Sequence, residues 1–265
     1  DGVFENCTML KKVQFEEGTT VIHRSMFASC TGLEEIIIPS TVERIEYMAF
    51  EGCVNLKKVT LSGSLVEIGM YAFSNCTLLE EIIIPDGVSL INSYAFSGCS
   101  LLKKVSLPES ITAINNTVFS GCTSLSEIKI PAGVKSIGQY AFRNCDALTS
   151  VSLPDGLMTI DAYAFYDCDA LASISIPDKV ASLGNYVFAE CDSLTNVKLG
   201  TGIVTIPTYA FNNCAVLDNV VIPYRVTEIK GYGFANCPKL KTITIPRSVT
   251  SIASTAFSYP TTMTV

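Results

Sequence analysis

Histidine is almost missing from this chain, and clustered basic residues are missing altogether. A single histidine, His23, stands among 265 residues. A hydrolase triad needs a histidine near a nucleophile, and His23 lies in a connection beside Arg24 with no carboxylate or nucleophile motif next to it. It reads as a solvated loop residue, not as a catalytic base. Cysteine occurs eleven times, but never as Cys-x-x-Cys and never with a partner histidine. That spacing speaks against a zinc site. No Gly-x-Gly-x-x-Gly or phosphate-binding loop is present, and Gly200-Thr201-Gly202 only replaces a turn. No enzyme, cofactor or metal is expected. Charged residues make up 16% of the chain and sum to −7. Without a basic stripe, neither a nucleic acid nor an anionic membrane surface is expected as partner. Apolar runs stop at about three or four residues, far short of a membrane-spanning helix.

What the chain has instead is a period. Phenylalanine recurs every 23 residues from Phe4 through Phe27, Phe50 and onward to Phe257, and each cysteine from Cys7 to Cys237 follows one of them by three. A fixed period over the whole length is the signature of a solenoid, in which each coil stacks on the next around a continuous core. That also accounts for a hydrophobic content of 48%. Residues 1–265 read as one solenoid of about eleven coils. With strands about 4.8 Å apart the stack is roughly 50 Å long. One cysteine per coil in one register predicts a ladder of reduced, buried thiols, because free cysteine behaves as a small hydrophobe.

Each coil divides into three pieces. The first is Leu-x-x-Ile-x-Ile, as in Leu33-x-x-Ile36-x-Ile38, whose last three residues predict a short strand. Proline follows in most coils, as at Pro39 and Pro154, and turns the chain out of the sheet. The second is Val/Ile/Leu-x-x-Ile, for example Val42-x-x-Ile45, returning along the other wall. The third is Tyr-Ala-Phe-x-x-Cys, whose three-residue spacing predicts a helical or 3₁₀ turn. Thr, Ser or Asp follows the cysteine in most coils, as at Thr77, Ser100 and Thr123, and predicts an N-cap. Parallel strands joined this way form right-handed crossovers. The chain opens on Asp1 in mid-repeat, which suggests a larger parent. Residues 257–265 read as a degenerate final coil, with Pro260 in place of cysteine and Met263 in place of leucine.

Coils such as Leu148-Thr149-Ser150-Val151-Ser152-Leu153-Pro154, then Ile160, Tyr163-Ala164-Phe165 and Cys168, resemble the BspA-like class of leucine-rich repeat. The resemblance covers essentially the whole chain. Departures are slight: Ser62 and Gly200 stand where proline is usual, and Ser25-Met26 where Tyr-Ala is usual. It implies a leucine-rich repeat solenoid, a right-handed curved stack with a parallel sheet on its concave face. It further implies a cell-surface or secreted protein of bacteria or parasitic protists. Several relatives are adhesins for host matrix or plasma proteins such as fibronectin and fibrinogen. A protein partner is therefore expected, with a structural spacer or self-associating stalk as the alternative.

Two features mark candidate sites. Asp146, Asp169 and Asp192 occupy one position in three consecutive coils. They read as N-caps, with a weak calcium site as the sharper alternative. The second is the outward face of the first strand. Its third positions alternate in sign from Lys12 through Glu35, Lys58, Glu81 and Lys104 to Glu127, which predicts cross-strand pairs. Its fifth positions carry Ile37, Thr60 and Ile83. Apolar anchors in a polar rim suit a protein interface. The candidate site is therefore Glu35, Ile37, Lys58, Thr60, Glu81 and Ile83, while β-branched residues that merely suit a strand are the plainer explanation.

Overall fold

The computed structural model describes residues 2–16 and 18–258. Each coil contributes up to two short strands, and every strand pairing is parallel with partners 23 residues apart. Three-residue strands run from Glu35–Ile37 to Asn219–Val221, and two-residue strands from Val21–Ile22 to Ser251–Ile252. The first set sits one residue earlier than the alternation of Ile36 and Ile38 suggests. Glu35 and Ile37 face out and Ile36 faces in. Ile38 still joins the ladder, since its N–H donates to the Thr60 carbonyl at 2.8 Å. The degenerate features at Pro260 and Met263 lie outside the described residues.

No helix of either kind forms among the described residues. The Tyr-Ala-Phe-x-x-Cys piece is a run of turns, and its backbone shows why. Seven of its tyrosines, among them Tyr71, Tyr140 and Tyr232, have φ of 58–63°. A left-handed residue costs about 1–2 kcal/mol and cannot continue a right-handed helix. A second left-handed position follows two residues after the phenylalanine. It is filled mainly by residues that tolerate it, such as Asn75, Asn144 and Gly98. These kinks aim the peptide groups at the next coil instead of along the chain. Phe27 N–H donates to Ala49 at 2.9 Å, Phe142 to Ala164 at 2.8 Å and Phe234 to Ala256 at 2.8 Å. A third parallel ladder therefore runs through the turns.

The N-cap reading also needs correction. An N-cap side chain accepts from the backbone, whereas these hydroxyls donate to the preceding coil. Thr77 Oγ1 donates to the Val54 carbonyl at 3.1 Å and Thr123 Oγ1 to that of Ser100 at 3.2 Å. Two of the missing prolines have local causes. Ser62 is buried and its hydroxyl donates to the Val42 carbonyl at 2.8 Å. At Gly200 any Cβ would collide with the Pro177 carbonyl.

The core is built in rows. Phenylalanine rings from Phe4 to Phe257 stack with centroids 5.2–5.8 Å apart and planes within 1–13°. That offset-parallel arrangement suits the aromatic quadrupole. Each cysteine from Cys30 to Cys237 points its thiol at the phenylalanine carbonyl of the preceding coil. Examples are Cys53 to Phe27 at 3.1 Å and Cys145 to Phe119 at 3.2 Å. The residue is thus more than a small hydrophobe: its weak donor supplies a second partner to a buried carbonyl. All eleven cysteines are free, and all but the half-buried Cys7 are buried.

Two expectations follow. Phe142 is fully buried between two rings, so Phe142→Ala costs about 3–5 kcal/mol. Phe257, half-buried with one stacked neighbour among the described residues, loses much less on the same change. Denaturant titration of both variants checks this, and equal losses would contradict nearest-neighbour stacking. The second expectation concerns pH. Burial pushes the thiols of Cys53, Cys99, Cys191 and Cys237 up to about 12 from an ordinary value of 9.0. Folded pKa values above the unfolded ones mean that the stabilisation is complete below pH 9.0 and is lost as pH rises towards 12. The unfolding midpoint should therefore drop steeply across that window. Cys→Ala at Cys99 and Cys191 should flatten the drop.

Candidate interaction face

The six residues singled out on the strand face all point outward. Glu35 and Ile37 flank buried Ile36, Lys58 and Thr60 flank Val59, and Glu81 and Ile83 flank Ile82. Burying the middle residue leaves its two neighbours no choice, because side chains alternate along a strand. The register sets Glu35 beside Lys58 and Ile37 beside Thr60. Glu81–Ile83 packs alongside Lys58–Thr60, although its ladder partner is Lys104–Ser106. Ile37 is 68% exposed and Ile83 70%. Val221, 68% exposed, occupies the same row near the far end.

Cross-strand pairing occurs, but one residue earlier than expected. Lys57 Nζ lies 2.9 Å from Glu34 Oε2 and Lys103 Nζ 3.0 Å from Glu80 Oε2. Among the described residues, no ion pair within 4.0 Å joins the expected row of Glu35, Lys58, Glu81 and Lys104. The second positions were legible from the doubled charges Lys57-Lys58 and Glu80-Glu81. Exposed pairs of this kind contribute little to stability, from nothing to about 1 kcal/mol. The third-position charges stay available to a partner.

A second surface feature is a row of tyrosines 23 residues apart, one to each Tyr-Ala-Phe-x-x-Cys type turn. Half-buried tyrosine rings at Tyr140, Tyr163, Tyr186, Tyr209 and Tyr232 stack 4.4–4.8 Å apart. Arg143 lies 5.7 Å from the ring centres of Tyr140 and Tyr166. Stacking covers the ring faces, so the row shows its edges.

The other candidates resolve simply. His23 does have a carboxylate nearby, contrary to the sequence reading: Nδ1 lies 3.4 Å from Glu46 Oε2 of the next coil. The same carboxylate oxygen accepts the Arg24 N–H at 3.1 Å, so it braces an exposed loop. Asp146, Asp169 and Asp192 are all exposed. Partial loss of hydration and then the Asp169 charge raise the Asp146 carboxyl, while partial loss of hydration and then Asp167 and Asp192 raise that of Asp169. Among the described residues, no group of three or more His, Cys, Asp or Glu side chains is arranged to hold a metal. No described helix is long and apolar enough to cross a membrane.

The fold and its rows define a leucine-rich repeat solenoid. The description "BspA type Leucine rich repeat region (6 copies)" matches residues 1–125 and 135–264, and the chain belongs to that family. A leucine-rich repeat protein from Bacteroides ovatus is 31% identical with a TM-score of 0.71, over 96% of this chain and 78% of that one. A leucine rich cell surface protein from Faecalibacterium prausnitzii is also 31% identical, with a TM-score of 0.60 over 92% and 75% of the two chains. The pneumococcal vaccine antigen PcpA shares the fold at 21% identity, with a TM-score of 0.62 over 94% and 75%. No curated protein matches the sequence.

The raised Asp169 carboxyl sets an expectation opposite to that of an N-cap. A folded pKa above the ordinary 3.8 means that its stabilisation is present below that pH and is lost as pH rises. Asp169→Ala should then raise the thermal midpoint slightly at pH 7, with the gain vanishing in acid below pH 3.8. A loss of about 1 kcal/mol at neutral pH would restore the N-cap role.

Proposed function

We propose that this chain is an adhesin-like module of the cell surface or extracellular space, which holds a protein partner on its strand face. The observation that carries the reading is the pair of exposed isoleucines, Ile37 and Ile83, on either side of Thr60 within alternating charge. Stacked repeats offer long continuous faces, and binding is what such faces serve. Apolar side chains held in water by a rigid backbone cost no reordering when a partner covers them. The surface location draws support from the Faecalibacterium prausnitzii relative, named as a cell surface protein. In this reading Glu35, Lys58 and Glu81 form the polar rim and Ile37, Thr60 and Ile83 the centre. Host matrix or plasma proteins are the class of partner the family resemblance implies.

The test is a binding screen of the purified chain against immobilised fibronectin, fibrinogen and related matrix proteins. The double change Ile37→Ser and Ile83→Ser should weaken capture by about tenfold or more, since each buried aliphatic anchor contributes on the order of 1 kcal/mol. The circular dichroism spectrum should stay unchanged, because neither side chain touches the core. Undiminished capture by the folded double variant would place the site elsewhere.

A further inference from the structure

The charge pattern on the strand face has a period of its own, twice that of the coil. Lys11-Lys12, Glu34-Glu35, Lys57-Lys58, Glu80-Glu81 and Lys103-Lys104 alternate coil by coil, ending at Ser126-Glu127. Leu-Glu-Glu-Ile-Ile-Ile-Pro occurs twice, at residues 33–39 and 79–85. Every one of these charged side chains is exposed. From the seventh coil onward the third positions are uncharged: Ser150, Ser173, Asn196, Asn219 and Thr242. A partner for the charged half must carry alternating signs at a spacing of about 9.6 Å per full cycle, two strand separations. This chain carries such a surface itself.

We propose that the partner of this face is a second copy of the same chain, packed face to face with its stack running the opposite way. The proposal rests on the binding reading above and names its occupant. Symmetry and charge together fix the geometry. A two-fold axis along the stack would set each coil against its own copy, lysine on lysine and glutamate on glutamate. A two-fold axis along the strands reverses the stack and keeps strand positions matched. Placed between the third and fourth coils, it sets Lys58 against Glu81, Glu35 against Lys104 and Lys12 against Glu127, each twice. The flanking row agrees, with Lys57 against Glu80 and Glu34 against Lys103. Ile83 then meets Thr60 of the second copy, and Ile37 meets Ser106.

No other register does as well. Moving the axis onto a coil sets like charges together throughout. Moving it a whole coil either way keeps the signs right but leaves two charged coils unmatched. The third-position row across these six coils carries three lysines and three glutamates, hence no net charge, although the chain as a whole carries −7. Two copies therefore meet over a face with no net negative charge, and net negative surfaces are not pressed together. Charges at such a face set orientation more than affinity. The patch is about 24 Å long and smaller than a permanent interface, so the pairing is reversible and weakens as salt rises.

Sedimentation velocity over a concentration series, at low and high salt, reads the association directly. Wild-type protein should dimerise at high concentration in low salt. Lys58→Glu places glutamate against Glu81 twice, and Glu81→Lys places lysine against Lys58 twice, so each variant alone should associate about tenfold more weakly or less. An equimolar mixture of the two restores opposite charges at both contacts, and a heterodimer should form with wild-type strength. Circular dichroism establishes that both variants are folded. A wild-type chain that stays monomeric at millimolar concentration overturns the proposal, as does a mixture that associates no better than its parts. Failure here with intact, Ile37- and Ile83-dependent capture of a matrix protein leaves the binding face standing and removes only its self-pairing.

Discussion

Each coil of this solenoid satisfies much of its backbone through its neighbours, and that constraint holds every coil to one length. Buried peptide groups must be paired, and here turn bonds within a coil alternate with bonds that cross to the next coil. Phe50 shows the extent of it. Its N–H donates to Ala72, and its carbonyl accepts both the Cys53 N–H at 3.2 Å and the Cys76 thiol at 3.3 Å. A coil one residue longer would carry its phenylalanine, cysteine and strand out of step with both neighbours at once. The stacked rings follow from the ladder: a fixed rise leaves the phenylalanines no arrangement but an offset stack. The left-handed tyrosines follow as well. Their backbone cost is met by the ladder bonds that the kink makes possible.

Much of this was legible in the sequence because burial repeats and repetition is visible. The phenylalanine, cysteine and leucine rows, the parallel strands and the single continuous core all come from spacing alone. The turn piece did not, for a physical reason. A three-residue apolar spacing at Ala72-Phe73-x-x-Cys76 suits a 3₁₀ turn and a chain of kinked turns equally. Only the sign of φ at Tyr71 and Asn75 separates the two, and side-chain patterning does not encode it for tyrosine. The asparagines and glycines at the second kink did offer a hint. The hydroxyls after the cysteines were misread for a related reason: Thr and Ser both accept and donate, and their preference at N-caps describes one use of two. At the candidate face, outward direction was legible for all six residues, because alternation in a strand is a rule of geometry. Which lysine reaches which glutamate was not. Glu34–Lys57 and Glu35–Lys58 are equivalent by register, and rotamers decide between them.

A ladder of this kind frees the surface from structural duty. The buried positions are nearly identical from coil to coil, whereas the exposed third positions change from charged in the first half to uncharged in the second. Lys, Glu, Ser and Asn all occupy the third position without altering the strand beneath. Such tolerance is what a scaffold needs if one face is to vary while the fold holds. It also means that any order on that face calls for a cause other than folding.

The exposed isoleucines bear on that point. A β-branched residue suits a strand, and on that ground alone isoleucine would be scattered along the fifth row. It is not scattered. Ile37 and Ile83 both follow a Glu-Glu pair, in two identical heptapeptides two coils apart, and the intervening coil pairs Lys57-Lys58 with Thr60. The stabilisation either residue brings to its own strand is a fraction of a kcal/mol, and threonine at position 60 supplies the same β-branching without the apolar surface. Two coils repeated together, charge and anchor alike, keep a geometric relation between exposed groups that the core does not require. A relation of that kind is useful only to something that touches both coils at once.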